Sequence, residues 1–302
     1  LRSPVGSLAD KVRVGMLSLR SLLWRESNCF SQNPETTREF LQRQGFSPRM
    51  FELFWRPFFG GVFLDDELAT GSDLFRYLFS LFVRSQVALC DGGIQQIPNQ
   101  LARRLNEERI HLQTPVERLE GRQCWDAQGN CWEGDHVVVA VNGAAAARLL
   151  PQQPAPAFHG THCSYFAAPL SPGGKGRIQL NAQRDSCVHH VVVLSDVAQG
   201  YAPAGRSLIS VSSQTHDLPS EAELRRELAT WYGADSVASW KLLHQYSVPG
   251  ALPAFGAGQR RSDLKLGEGL WRCGDYLSYP SLNAAVGSGR IVAESLGYGA
   301  AK

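Results

Sequence analysis

Asp135 to Leu150 reads DHVVVAVNGAAAARLL, and no other stretch limits the fold as severely. Every residue from Val137 to Val141 is apolar, so a strand here has no alternation between a wet and a dry face. It has to be buried on both sides, which requires a parallel or mixed sheet covered by helices. A glycine and an alanine-rich helix follow, completing a strand-turn-helix unit. The same order returns in LWRCGDYLSYPSLNAAVGSGRIVAESLG, Leu270 to Gly297. An apolar run meets Gly274-Asp275, a Tyr- and Pro-containing loop follows, and then a helix poor in bulky side chains. The expected class is α/β.

The first ninety residues read as helices. Ser7 stands as an N-cap before Val12, Met16, Leu19 and Leu23, apolar positions at helical spacing. NPETTREFLQRQGFS repeats the form, with Gly45 as its stop. An aromatic stretch from Met50 to Gln86 follows, in which Leu74, Tyr77, Leu78, Leu81 and Phe82 give one wide apolar helix face. That face reads as core, with a greasy substrate tunnel or a membrane-surface contact as the alternatives. DGGIQQIPNQLARRLNEE reads as a glycine turn into a helix, and IHLQTPVERLEG and RQCWDAQGNCWEG as strands around a DAQGN turn. Beyond the PQQPAP crossing at 151–156 lie four strand-like segments, a helix with a Ser220–Glu223 capping box, and the strand SWKLLHQYSVP.

Composition removes several function classes. A chain of 302 residues with 43% hydrophobic and 19% charged residues has the make-up of a water-soluble globular protein. Its net charge of +2 gives no reason to expect nucleic acid. Seven scattered cysteines without a C-x-x-C argue against a disulfide framework or a zinc site and for a reducing compartment such as the cytoplasm. Membrane-peripheral attachment stays open, whereas no apolar run reaches the ~18 residues of a spanning helix.

Most catalytic motifs are missing. There is no G-x-S-x-G, and GSGR at 287–290 falls inside an expected helix. PGGKGR, Pro172 to Arg177, lacks P-loop spacing and reads as a hairpin turn. His189 and His190 are neighbours in an expected strand, so they should point to opposite faces, one inward and one exposed, and share no metal. No G-x-G-x-x-G opens a helix after a strand.

The C-terminal stretch is the exception. A strand ending at Gly274-Asp275 puts a carboxylate at the carboxyl edge of a sheet, where open α/β sheets bind ligands. Asp275 can only accept hydrogen bonds, which suits the hydroxyls of a ribityl or ribose chain. The helix starting near Ser281 offers unpaired N–H groups and a positive dipole end. Ala284, Ala285, Gly287 and Gly289 would let a flat ligand approach closely. A plain strand-turn-helix with a capping acid is the simpler alternative.

WRCGDYLSYPSLNAAVGSGRIVAESL resembles the C-terminal flavin-binding segment of FAD-dependent amine oxidase and phytoene-desaturase-like oxidoreductases. FWRPFFGGVFLDDELAT, DGGIQQIPNQLARRL, IHLQTPVERLEG with DHVVVAVNGAAAARLL, and HQYSVPGALPAF resemble further segments of that superfamily, from Phe51 to the end. The resemblance implies a two-domain FAD/NAD(P)-binding oxidoreductase fold with an α+β substrate part, truncated at the N-terminus. Residues 1–90 would be the helical, aromatic part of the substrate domain. Residues 91–150 with 262–302 would be the rest of the FAD-binding domain, and 151–261 the β-rich substrate domain.

Carried over by position, Gly274 and Asp275 would hold the flavin's ribityl or phosphate portion. N–H groups from Ser281, Leu282, Asn283 and Ala284 would face the ring carbonyls or the pyrophosphate, and Val116 would lie along the adenine. Asn142-Gly143 stand where the family has a Thr-Pro pair. Trp55, Phe58, Phe59 and Phe63 are candidates to line a cavity for a small apolar substrate (an amine, polyene or porphyrinogen) that gives up hydride to FAD, although each also reads as core. No residue matches a catalytic lysine motif, and no metal is expected. The family's opening strand, G-x-G-x-x-G turn and helix, a unit of roughly 30 residues, has no counterpart in the sequence. The expectation is a fragment of a longer enzyme. A non-catalytic remnant that binds a partner without flavin is the alternative.

Overall fold

A computed structural model describes residues 4–105, 109–173 and 176–298, and its first part is helical, as the capping residues dictate. Ser7 caps α1 (Leu8–Ser21) in a reciprocal box: its hydroxyl accepts from the Asp10 N–H, and the Asp10 carboxylate accepts from the Ser7 N–H. Asp10 is fully buried because the same carboxylate also takes the Ser47 N–H and hydroxyl, at 2.9 and 2.7 Å. Burial alone would raise its pKa; the bonds from Ser47 and Ser7 hold it well below the usual carboxylate range.

After α2 (Glu26–Cys29), Thr36 and Glu39 form a second box at the start of α3 (Thr37–Arg43). α4 (Pro48–Met50) leads into a π-helical turn, Phe51–Trp55, and then α5 (Arg56–Phe63). The widened turn has a local cause. Pro57 has no N–H for the carbonyl four residues back, and the Arg56 N–H bonds to Phe51, five back.

α6 (Ser72–Arg84) closes an aromatic core with Trp55, Phe59 and Phe63, none more than 1% exposed. Phe59 and Phe75 lie 4.6 Å apart between ring centroids, and Trp55 meets Phe75 edge-on at 5.8 Å. Phe58 sits at the margin of this cluster, against Phe54 and Phe82. Trp55, Phe59 and Phe63 are thus buried in this core, and Phe58 is partly buried at its edge.

α7 (Gln96–Ala102) is short and has no buried residue; its expected continuation runs into residues 106–108, outside the described part. β1 (Val116–Glu120), β2 (Gln123–Asp126) and β3 (Cys131–Glu133) form an antiparallel meander. Asp126 fixes its second turn by accepting from Gln128, Asn130 and the Trp132 indole.

β4 (Val137–Val139) leads into α8 (Gly143–Leu149), which Asn142 caps. The long sheet comes next in the chain. β5 (Phe158–Ala168), β6 (Gln179–Leu180), β7 (His190–Val193), β8 (Ser207–Ser213) and β9 (Lys241–Pro253) lie antiparallel in the order β6-β7-β8-β5-β9. α9 (Leu194–Val197) follows β7, and α10 (Glu221–Tyr232) with α11 (Ala234–Ala238) precedes β9. Leu224 and Leu228 of α10 share a core with Phe166, Val191, Ile209 and Val211 of the sheet.

β10 (Lys265–Gly267) and β11 (Leu270–Arg272) then join β4 in the order β10-β11-β4, with β11 and β4 parallel. α12 (Leu282–Ser295) ends the described chain.

Two expectations change. The parallel pairing forecast for the Val137 run is present, but its burial on both faces is not. β4 is the terminal strand of its sheet, and Val138 remains 38% exposed. PGGKGR does not join neighbouring strands either: β7 and β8 lie between β5 and β6 in the sheet, and residues 174–175 of the segment are outside the described part.

Candidate cofactor site

β11 runs beside β4, and the first residue past it, Cys273, donates its N–H to the Val139 carbonyl at 3.0 Å. The chain then turns. The Gly274 N–H reaches the Ser288 hydroxyl of α12 at 2.9 Å, and a Cβ at 274 would strike the Tyr276 ring at 2.4 Å, so only glycine fits. Asp275 opens a single 3-10 turn to Leu277. Its side chain is half-buried and accepts the Tyr276 N–H at 2.9 Å. Burial pushes its carboxyl above the usual range, so the ionised form lacks enough donors.

Ser281 caps α12 by accepting the Ala284 N–H at 3.0 Å, and the Ala285 N–H bonds the Ser281 carbonyl. Among the described residues, the N–H groups of Leu282 and Asn283 have no protein partner, and both residues are exposed. One turn and one helix start therefore bring together Gly274, Asp275 and Ser281 to Ala284.

Val116 belongs to a different element. It lies on the meander strand β1, which contacts α8, and it is 38% exposed. At Gly143 a Cβ would meet Pro156 at 2.7 Å and Phe158 at 2.8 Å, so the Asn142-Gly143 pair leaves no room for a larger second residue.

Asn283 and Ala284 also border a cavity of about 600 Å³ along α12, with Tyr77, Leu277, Tyr279 and Val286 on its walls. Tyr279 stacks on Phe30 at 4.6 Å and its hydroxyl lies 3.2 Å from Glu26, which pairs with Arg261 at 2.8 Å. The guanidinium of Arg261 sits over both rings. Burial drives the Tyr279 phenol far above its usual pKa, so it stays protonated and donates to Glu26. Sequence reasoning missed Glu26, Phe30 and Arg261, whereas Tyr77 lies on the helix face it read as core or substrate tunnel. The only signal the missed residues share is tertiary, since Glu26 and Tyr279 are 253 positions apart.

A second polar cluster corrects the reading of the histidine pair. β7 begins at His190, so His189 lies before the strand and escapes its alternation; the two Nδ1 atoms come within 3.1 Å. His189 is buried and its Nε2 is 3.5 Å from Asp66. That imidazole holds the Asp66 carboxyl below its usual range, against the upward push of burial. Arg56, 1% exposed, links Glu52, Asp66 and the Ala182 carbonyl beside it. Among the described residues, no group of three or more His, Cys, Asp or Glu is placed to hold a metal, and no helix is long and apolar enough to cross a membrane. All seven cysteines are free thiols.

Solved structures share this architecture at low identity. An oxidoreductase from Methanosarcina mazei aligns over 95% of this chain and 73% of its own, with a TM-score of 0.69 and 13% identity. A redesigned putrescine oxidase aligns over 97% of this chain and 77% of its own, at 0.68 and 14%. A fatty acid isomerase from P. acnes aligns over 97% and 76%, at 0.65 and 11%. No curated protein matches the sequence. The family described as flavin containing amine oxidoreductase matches residues 2–296. With that match spanning nearly the whole chain, the protein belongs to the flavin-containing amine oxidoreductase family.

Proposed function

We propose that the flavin is FAD and that the chain serves an oxidoreductase that removes hydride from a largely apolar small molecule. The observation that carries this reading is the pairing of Asp275 with the first turn of α12. One turn-helix segment carries both a half-buried carboxylate with spare acceptor capacity and, at its helix start, two N–H groups that lack partners. Those groups fit FAD at complementary points. Asp275 suits a ribityl hydroxyl, and the Leu282 and Asn283 N–H groups suit an electron-rich carbonyl or a phosphate. When bound, FAD would supply the hydride acceptor, and these residues would bind and orient it.

The walls formed by Tyr77, Leu277, Tyr279 and Val286 suit an apolar substrate, and the names of two structural neighbours mention putrescine and a fatty acid. In this reading, residues 91–150 with 262–302 form the flavin side, and 1–90 with 151–261 the substrate side. A glycine-rich phosphate turn is not among the 302 residues. The free edge of β4, parallel to β11 and carrying exposed Val138, is where a further parallel strand bearing such a turn would add.

The test is to add FAD to the purified chain, alone and joined to a strand-turn-helix unit with G-x-G-x-x-G, and to follow flavin absorbance through gel filtration. Retention by the joined form, lost on Asp275→Ala, is the expected result. A folded joined form that retains no flavin would instead favour a module that binds a partner without turnover.

A further inference from the structure

We propose that the outer face of α1 docks on an anionic lipid surface. Leu8, Val12, Met16, Leu19, Leu22 and Leu23 are between 48% and 79% exposed. At about 100° per residue Leu8, Val12, Met16 and Leu19 share one sector of the helix, centred opposite Asp10, Leu17 and Ser21, which are all buried, and Leu22 and Leu23 extend it in the turn just past the helix end. The inner face is thus complete, and the outer face is a second, uncovered apolar stripe of a kind that soluble surfaces seldom carry.

Charge decides what fits that stripe. Lys11 borders it on one side, and Arg13 with Arg20 on the other. The helix's only acid, Asp10, faces inward and is engaged by Ser7 and Ser47, with Arg13 at 3.8 Å, while Arg20 donates to the exposed Gln44 side chain at 3.3 Å. A second copy of the chain would bring these basic borders against each other. A bilayer containing acidic headgroups accepts the stripe among its acyl chains while the basic side chains reach up to phosphate and carboxylate. The surface continues past the helix end, where Arg84 donates to the carbonyls of Ser21, Leu22 and Trp24. Beside it, Val83 and Val87 are exposed.

The experiment is co-sedimentation of the purified chain with vesicles of phosphatidylcholine, with and without phosphatidylserine. Binding to the mixed vesicles is expected, at least about tenfold weaker on pure phosphatidylcholine and weakened by salt. Leu19→Glu with Leu23→Glu should abolish binding without lowering the melting temperature, because both side chains are in solvent. Arg20→Gln, whose side chain is exposed, should keep the fold and weaken the preference for phosphatidylserine. The proposal is overturned if the folded chain ignores mixed vesicles, or if the glutamate variant binds them equally well. It is also overturned if light scattering finds a dimer that the glutamate variant dissociates, since the stripe would then belong to a second copy.

Discussion

The Gly274 N–H donates to the Ser288 hydroxyl at 2.9 Å, and that hydroxyl donates onward to the Ala285 carbonyl at 2.8 Å. One buried side chain thereby pins the Gly-Asp turn to the second turn of α12. Ser288→Ala leaves the amide unpaired and should cost about 1–3 kcal/mol, read as a lower urea midpoint at unchanged slope. Gly274→Ala should cost more, because its Cβ lands on the Tyr276 ring, which is itself packed against Gly143.

Asp275 should trade stability for binding. Its pKa is raised on folding, so the folded state holds its proton more tightly than the unfolded state. Its contribution to stability is therefore lost as pH rises above the ordinary carboxylate range, and at neutral pH the ionised group is a cost to the ligand-free chain. Asp275→Asn should raise the melting temperature of that form by a degree or more while weakening flavin binding. Thermal melts with and without flavin check both signs.

His190 sets an opposite pH dependence. Burial, with the neighbouring His189, lowers its pKa to about 4, from an ordinary value of 6.5. The unfolded chain therefore takes up a proton that the folded chain refuses. Stability is fully present above about pH 6.5 and falls as the pH drops towards 4. Melting temperatures across that window should decline, and His190→Gln should flatten the decline.

Arg56 joins the aromatic helices to the long sheet through Glu52, Asp66 and the Ala182 carbonyl. Arg56→Met leaves the Ala182 carbonyl without this donor and should destabilise by about 1–3 kcal/mol. Equilibrium unfolding of the variant measures it.

Local signals were legible in the sequence where one or two neighbouring residues decide the outcome. Ser7, Ser220 and Ser281 marked helix starts because an N-cap acts within its own turn. Gly274-Asp275 marked a turn at the end of a strand, and the strand is there. What the sequence could not reveal depends on distant partners. The spacing of Val12, Met16, Leu19 and Leu23 defines a helix face, but only Ser47, reaching Asp10, shows which face turns inward. The valines of β4 read as doubly buried, yet β11 covers only one edge of that strand. His189 and His190 converge because the strand starts between them, a boundary shift of one residue that periodicity does not resolve.

The most direct test of the account is the FAD dissociation constant of the chain joined to a glycine-turn unit, compared with its Asp275→Ala variant by flavin fluorescence titration. The account predicts at least about a tenfold weakening, or about 1.4 kcal/mol, with the variant's fold intact. Equal affinity in the two proteins would contradict it.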